Sequence, residues 1–329
     1  MARFLAFLLF IAVLAAGAWV WEQMDFTASG PAARDNARQT VVIIPPRQGL
    51  LGIANQLQSA GAVRFAPLFA LGVRLRGEGA LLKAGEYAIP SGSSMQSIAD
   101  LLVSGRVVEH KLTAAEGLTS QMIVGLVNAD GELGGSSQTA PDEGTLLPET
   151  YLFTRGTKRS TILERMHDAQ VLFLARAWAS RDPDLPLRSP QEAVTLASIV
   201  EKETSIPVER RHIASVFINR LHLGMKLESD PTIIYGLNKG YPLGHGIRAS
   251  ELASATPYNT YLIPGLPPTP ICNPGKDSIA AVLKPAHSAD LYFVANGTGG
   301  HVFAATKADH DRNVARWRQI ESTVLRLKP

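Results

Sequence analysis

The stretch "SPQEAVTLASIVEKETS", residues 189–205, predicts a helix with a well-marked start. Ser189 can cap the helix, Pro190 fits its first turn, and Glu192 stands where it would close a capping box. The residues that follow are mostly apolar, as in a core helix, until Glu201 and Glu203 interrupt the pattern two residues apart. Two carboxylates at the end of such a helix raise the question of whether either one is catalytic.

Glu201 and Glu203 are not expected to face each other. At about 100° per residue from Pro190, Glu201 falls at about 20°, inside the apolar arc, and Glu203 at about 220°, on its opposite margin. A carboxylate pair that shares one proton is therefore not predicted. The small neighbours of Glu201 leave room for a ligand, and the apolar wall should raise the pKa of its carboxyl group, as a general acid requires. The alternative is a structural salt bridge to Arg210 or Arg211.

Length and composition exclude several classes of protein. The 329 residues are enough for about two domains. A net charge of +3, with both signs interspersed, does not indicate a nucleic-acid partner. Cys272 is the only cysteine, which excludes a disulfide framework and a cysteine-ligated zinc site within one chain.

The N-terminal sequence predicts export. Phe4–Trp21 is an uncharged apolar run, long enough to span a bilayer as a helix. Arg3 marks the cytoplasmic side, and Trp19 and Trp21 lie where an interfacial aromatic belt would be. Ala16-Gly17-Ala18 has the form of a signal-peptide cleavage site, but the apolar run continues past it, which favours an uncleaved anchor. Either reading places the rest of the chain outside the cytoplasm.

The remaining pattern predicts an α+β fold. An apolar strand ends at Pro45, a helix ends at Gly61, a strand covers 86–89, and a second helix has Ser94 as its cap and Gly105 as its stop. A further strand near residue 109, a helix over 117–129, and a long irregular segment ending in an aromatic strand follow. The predicted parts are a cytoplasmic stub and transmembrane anchor (1–24), a linker (25–40), a small module (41–108) and a mixed α+β domain (109–329).

The C-terminal half closely resembles the YceG-like (MltG) family of membrane-anchored endolytic murein transglycosylases. The matching segments are "LASIVEKET" (196–204), "ASVFINRL" through "SDPTIIYG" (214–236), "PYNTY" through "NPG" (257–275) and "LYFVA" through "GGHVF" (291–303). "EGTLLPETYLF" (143–153) is similar to the family's segment ahead of the catalytic region, where Phe-Pro-Asp is more usual than Leu-Pro-Glu. Glu149 in this segment is a second candidate carboxylate. The module at 41–108 looks like the family's LysM-like domain.

The resemblance implies cleavage of the β-1,4 bond between N-acetylmuramic acid and N-acetylglucosamine inside nascent glycan strands. Glu201 matches the family's catalytic glutamate, which protonates the leaving oxygen and then takes a proton from the sugar's own 6-hydroxyl. That hydroxyl closes onto the anomeric carbon and leaves a 1,6-anhydro end, so no second carboxylate and no cofactor are needed. The predicted substrate contacts are Asp230, Thr232, Tyr235, Tyr258, Asn259 and Tyr261.

The predicted partners are peptidoglycan glycan strands and the inner membrane, with the bulk of the chain extracytoplasmic, and peptidoglycan synthases are a further class that the resemblance suggests. The alternative function is a non-catalytic, membrane-tethered scaffold that binds glycan, in which Glu201 would be structural. A metal hydrolase would need ligands such as His301, Asp309 and His310, but no H-E-x-x-H or comparable spacing is present. No metal is therefore predicted.

Overall fold

The computed structural model describes residues 9–13, 16–17 and 25–327. Within those residues, none of the helices is long and apolar enough to cross a membrane. Most of the anchor predicted over Phe4–Trp21, with Arg3, Trp19 and Trp21, lies outside the described residues. The anchor and the alternative signal peptide both stay predictions.

The described chain is α+β, as predicted, and divides into two compact units. Unit 1 contains the described residues up to His110 together with Leu152–Gly156. Unit 2 contains Lys111–Tyr151 and the described residues from Thr157 onward. The LysM-like character of the first module and the domain boundaries drawn from the sequence stay predictions.

Unit 1 is built on an antiparallel pair of strands. Strand β1 (Gln39–Ile44) pairs with β2 (Gly85–Pro90), and Val42 lies opposite Tyr87. The alternation of buried and exposed residues along β1 places Val42 and Ile44 in the core. The core is completed by apolar residues of three helices, α1 (Leu50–Ser59), α2 (Ala66–Leu75) and α3 (Met95–Ser104).

The cap and stop residues predicted for one helix of unit 1 act as predicted. The Ser94 hydroxyl caps α3 by accepting a hydrogen bond from the Ser97 N–H, and Gly105 ends the helix with a left-handed φ of 73°. The helix α2 is not predicted from the sequence, although Phe69 on this helix is fully buried.

Unit 2 is centred on the helix predicted at the outset, α6 (Pro190–Glu203), in which every residue from Ala193 to Val200 is buried. It packs against α7 (Arg210–His222), α8 (Asp230–Asn238) and α10 (Lys276–Leu283). The remaining helices are α4 (Ser120–Ala129), α5 (Arg159–Ala179), α9 (Ala249–Leu252) and α11 (Lys307–Leu327).

The strands outside β1 and β2 form two further two-stranded sheets. Strand β3 (Glu109–Thr113) pairs with β4 (Thr150–Thr154), and β5 (Tyr292–Ala295) pairs antiparallel with β6 (His301–Ala304). Two short 3-10 helices lie at Arg34–Asn36 and Pro207–Glu209.

The start of α6 differs from the predicted capping box in one bond. The Ser189 hydroxyl accepts the Glu192 N–H at 3.2 Å, as expected for a cap. The Glu192 carboxylate accepts the N–H of Arg188, at 2.7 Å, rather than that of the cap residue itself. The helix is therefore anchored at its beginning by two side chains.

Candidate active site

The last turn of α6 brings the Glu201 carboxyl group to two other segments of unit 2. Its Oε2 accepts a 2.9 Å hydrogen bond from the N–H of Gly275, the residue that precedes α10. Its Oε1 lies 3.9 Å from Nη2 of Arg210, the first residue of α7. The side chain is only 7% exposed. Glu201 is thus a nearly buried carboxylate whose position is fixed by a backbone donor.

Glu201 does not form a close salt bridge with Arg210 or Arg211, the alternative that the sequence left open. A separation of 3.9 Å is too long for a hydrogen bond, and Arg210 lies closer to Asp277, with Nη1 3.3 Å from Oδ2. Arg211 instead donates to the backbone carbonyls of Lys284 and Pro285. Glu201 therefore has a cation near it without being closed off by a bidentate ion pair.

The surroundings of Glu201 are more polar than the sequence predicts. The apolar residues of α6 lie on one side, but the Gly275 N–H and the Arg210 guanidinium lie on the other. Gly117 packs beside the carboxylate, since a Cβ on it would lie 3.6 Å from Glu201 Cγ. Lys202 points to the Gly117 carbonyl at 3.4 Å. These neighbours stabilise the negative charge that Glu201 carries after it has given up a proton.

A second carboxylate, Glu116, lies in the same place. Its Oε2 is 3.7 Å from the same Arg210 Nη2 that approaches Glu201. Its Oε1 packs against the α-carbon of Gly275 so closely that a Cβ there would lie 1.8 Å from it. Glu116 is 43% exposed, so the cluster of Glu116, Glu201, Arg210 and Asp277 opens to solvent at this side chain.

Glu203 points elsewhere, as the helical angles predict. Its Oε1 accepts a 2.5 Å hydrogen bond from the Ser229 hydroxyl. Burial raises the pKa of Glu203 to about 7, opposed by the Ser229 hydrogen bond and assisted by the nearby charge of Asp230. Glu203 therefore joins α6 to the start of α8 and takes no part in the Glu201 cluster.

Four of the predicted substrate contacts are joined to other residues of unit 2 by hydrogen bonds. Thr232 and Asn259 are fully buried. The Thr232 hydroxyl donates to the Ser229 carbonyl at 2.6 Å, and the Asn259 amide donates to the carbonyls of Leu252 and Ser254. Tyr261 donates its hydroxyl hydrogen to Asp230 Oδ1 at 2.7 Å.

Helix α8 begins at Asp230, and Ser229 occupies the cap position before it. Asp230 is exposed and bonded to Tyr261, so it alone of these four presents a charged group to solvent. Thr232 and Asn259 are fully buried, and their contact with a substrate stays a prediction.

The other two predicted contacts, Tyr235 and Tyr258, line a pocket of about 950 Å³. Their rings meet edge to face at 4.8 Å between centroids, and Lys239 Nζ lies 5.5 Å and 5.7 Å from the two ring centres. The carboxylate of Glu143, also on the wall, accepts the Ser120 N–H at 2.8 Å, and burial raises its pKa to about 7. The pocket combines aromatic faces with groups of both charges.

Glu201 is not on the wall of this pocket, but residues of the wall lie close in sequence to Glu201 and to its neighbour Gly117. Gly117, which packs beside Glu201, precedes Thr119 on the pocket wall by two residues, about 7 Å of chain. Thr195 on the same wall belongs to α6. The pocket wall and the carboxylate cluster are thus built in part on the same two segments, residues 116–119 and α6.

Glu149 and the predicted metal-ligand candidates have ordinary partners. Glu149 is exposed and pairs with Lys276 at 2.5 Å, next to Gly275. His301 Nδ1 lies 2.7 Å from Glu209 Oε2, and His310 stacks on Tyr292 with 5.0 Å between ring centres. Within residues 25–327, His301 and His310 are not brought together with Asp309 as a ligand set.

Neither Glu116 nor Gly275 is predicted from the sequence as a site residue, and Arg210 is predicted only as an alternative salt-bridge partner of Glu201. The "AAEGLT" segment gives no catalytic signal, because a single glutamate before a glycine is common in turns. Gly275 lies 74 residues from Glu201, so only the packing of α10 on α6 brings them together.

A family model described as the YceG-like family matches residues 42–316. An endolytic murein transglycosylase of Streptococcus pneumoniae (strain ATCC BAA-255 / R6) is 30% identical over 367 residues, covering 94% of this chain and 64% of the relative. This chain thus spans less than two thirds of that relative's length. An endolytic murein transglycosylase of Bacillus subtilis (strain 168) is 26% identical over 324 residues, covering 89% of this chain and 88% of the relative.

A solved structure is similar as well. The crystal structure of a yceG-like protein from Listeria monocytogenes superimposes with a TM-score of 0.53 at 29% identity, over 84% of this chain and 98% of that one. The likeness therefore extends from the sequence to the arrangement of the elements.

Proposed function

Because this chain belongs to the YceG-like family, we propose that it is an endolytic murein transglycosylase, which cleaves the β-1,4 bond between N-acetylmuramic acid and N-acetylglucosamine within peptidoglycan strands. The observation that carries the proposal is the position of Glu201, a nearly buried carboxylate at the end of a core helix with one oxygen held by the Gly275 N–H. Relatives named endolytic murein transglycosylase along most of the chain support it.

Glu201 has the surroundings that an acid in this reaction needs. A glycosidic bond breaks when an acid protonates the leaving oxygen while positive charge builds on the sugar ring. Once Glu201 has given its proton, the Gly275 N–H and the Arg210 guanidinium stabilise the carboxylate that remains. The sugar's own 6-hydroxyl then closes onto the anomeric carbon, and the product ends in 1,6-anhydro-N-acetylmuramic acid.

The pocket beside the cluster is proposed as a glycan subsite. Sugar rings present apolar C–H faces and hydroxyl groups, and Tyr235 and Tyr258 offer aromatic surface for the faces. Lys239, Asn238 and Gln191 on the wall offer hydrogen-bonding groups for the hydroxyls. Asp230 and Tyr261 stay proposed contacts at the exposed start of α8.

The location and partners follow from the same proposal. An N-terminal anchor would hold the enzyme at the outer face of the inner membrane, where nascent strands are made. The LysM-like module would bind glycan, and peptidoglycan synthases would be the source of the strands that are cut.

The proposal is tested by digestion of purified peptidoglycan, with mass spectrometry of the products. The wild-type chain should produce new 1,6-anhydro ends inside long strands, and Glu201→Gln should lower the rate by about 10²–10⁴-fold, as loss of a general acid does. Glu228→Gln is the matched control, because Glu228 is an exposed glutamate paired with Arg220 at 3.0 Å.

Two outcomes would contradict the proposal. Reducing ends without anhydro sugar would identify a hydrolase. A folded wild-type chain that binds peptidoglycan and never cuts it would identify the scaffold alternative.

A further inference from the structure

Helix α2 of unit 1 is apolar on both sides, although the fold covers only one of them. Phe69 on the inner side is fully buried. On the outer side Leu71 and Leu75 are 46% and 54% exposed, and Phe65, the residue before the helix, is 56% exposed. At about 100° per residue, the exposed Pro67 falls with Leu71 and Leu75 in an arc of about 80°. We call Phe65, Pro67, Leu71 and Leu75 the α2 face, an uncovered apolar surface of the kind that marks an interaction site.

The charged residues in and around α2 are basic. Residues 60–77 include three arginines, Arg64, Arg74 and Arg76, and no acidic residue. Arg76 is paired with carboxylates of unit 1, whereas Arg64 and Arg74 are exposed. An apolar helix face with arginines beside it matches the boundary between the acyl chains and the anionic headgroups of a bilayer. The composition of this segment therefore fits a lipid surface.

The segment that follows the predicted anchor is packed on this helix. Phe26 is 1% exposed, and its ring centre lies 6.4 Å from that of Phe69. Arg64, two residues before α2, donates to the Ser29 carbonyl at 3.5 Å. The predicted anchor ends at Trp21, which lies outside the described residues, and the five residues from there to Phe26 can span at most about 18 Å. If the anchor crosses a bilayer, α2 is thus held close to its surface.

The described part of the chain does not cover the α2 face. In the apolar run itself, Leu9, Phe10 and Val13 are each at least 60% exposed. A second copy of the chain fits this face less well than lipid does. A two-fold contact would bring the same exposed arginines of both copies to one interface, where like charges are unfavourable.

We propose that α2 is a membrane-surface helix, with Leu71 and Leu75 among the lipid acyl chains and Arg64 and Arg74 on anionic headgroups. Because the anchor already confines the helix to the membrane, a weak contact is sufficient. Docking would hold unit 1 on the bilayer instead of leaving it at the end of a free tether. This inference rests on the proposed membrane location and is independent of the transglycosylase chemistry.

The test uses the full-length chain in vesicles of phosphatidylcholine and phosphatidylglycerol, with a bimane label on Leu71→Cys. Cys272 is fully buried and should not take up the label. Lipids with brominated acyl chains quench a label that enters the hydrocarbon layer, so the label on Leu71→Cys should lose most of its fluorescence. The matched control is Val41→Cys, an apolar residue of unit 1 that is 50% exposed and lies outside the α2 face. Its label should stay bright.

A charge reversal tests the headgroup contact. Arg74→Glu, introduced into the labelled Leu71→Cys chain, should lower the quenching, as should vesicles made without phosphatidylglycerol. Arg47→Glu is the matched control, because Arg47 is an exposed arginine of unit 1 outside residues 60–77 and should leave the quenching unchanged. Circular dichroism checks that each variant is folded.

Three results would overturn the membrane-surface role of α2. The label on Leu71→Cys could stay bright, or labels on Leu71→Cys and Val41→Cys could be quenched equally, which would show only that unit 1 is near the bilayer. Disulfide-linked dimers of unlabelled Leu71→Cys would identify a second copy as the occupant of the face. A chain that does not float with the vesicles would overturn the membrane location itself, whereas a peptidoglycan digest without anhydro ends would overturn only the proposed chemistry.

Discussion

Glu203, two residues from Glu201, shows how far the environment of one carboxyl group can differ from that of another on the same helix turn. It is bonded to Ser229 and lies near Asp230. Burial raises its pKa to about 7, so the folded chain binds this proton more tightly than the unfolded chain does. Its contribution to stability is greatest at low pH and is lost as the pH rises from about 4.3, the unfolded value, through 7.

Glu203→Gln should therefore raise the free energy of unfolding at pH 8 by roughly 1–3 kcal/mol, because the amide keeps an acceptor for Ser229 without a charge. At pH 5, where the wild-type carboxyl group is protonated, the two chains should be nearly equal. Urea unfolding at the two pH values measures the difference. The same variant should retain transglycosylase activity. An equal gain at both pH values, or a loss of activity as large as that of Glu201→Gln, would contradict this assignment.

At the scale of the element, α10 matters because its first residues meet the end of α6. Gly275 precedes α10 with φ −71° and ψ 168°, a conformation that any residue can adopt. A glycine is needed there for space, since a Cβ would lie 1.8 Å from Glu116 Oε1. The exposed Glu116 side chain can turn away at small cost in stability, while the Gly275 N–H that holds Glu201 stays in place.

Gly275→Ala should accordingly lower activity by about tenfold or more, because displacement of Glu116 removes one partner of the Arg210 guanidinium beside Glu201, with a change in unfolding free energy below about 1 kcal/mol. Digestion rates and thermal unfolding of the same sample measure both. The matched control is Gly246→Ala, because a Cβ on Gly246 meets no atom within 4 Å. Full activity in Gly275→Ala would show that the position of Glu116 does not matter.

The elements that the sequence predicts correctly carry their signals locally. The helix α6 has its cap and first-turn proline within four residues, and α3 has a capping serine and a stop glycine. By contrast, α5 was not predicted, since only three of its 21 residues are buried and its apolar stripe is weak. The helical angles correctly placed Glu201 and Glu203 on different sides of α6. The hydrogen bond between Gly275 and Glu201 could not be predicted in this way, because the two residues are 74 positions apart and meet only through the packing of α10 on α6.

At the scale of the whole molecule, Glu86 in unit 1 has a pKa shift of opposite sign to those of Glu143 and Glu203 in unit 2. In unit 1, Glu86 accepts hydrogen bonds from Arg155 at 2.9 Å and lies 2.6 Å from a ring nitrogen of His110. The Arg155 hydrogen bond lowers the pKa of Glu86, against the effect of burial. In unit 2, burial raises the pKa of Glu143 and of Glu203 to about 7 each.

The two units should therefore respond differently to acid. From pH 8 to 5, Glu143 and Glu203 regain protons that the folded chain binds more tightly, so unit 2 should gain about 2–6 kcal/mol of stability from the two groups together. Glu86 contributes fully to the free energy of unfolding above about pH 4.3, so its contribution should stay constant from pH 8 to 5. The contribution should be lost at lower pH, as the pH falls through the lowered pKa that Glu86 has in the folded state. Native-state hydrogen exchange, corrected for intrinsic rates, should show rising protection in α6 from pH 8 to 5 and falling protection in β1 and β2 from pH 5 to 3. Glu86→Gln should abolish the second change and leave the first. Parallel trends in both units would mean that these carboxylates do not control the response.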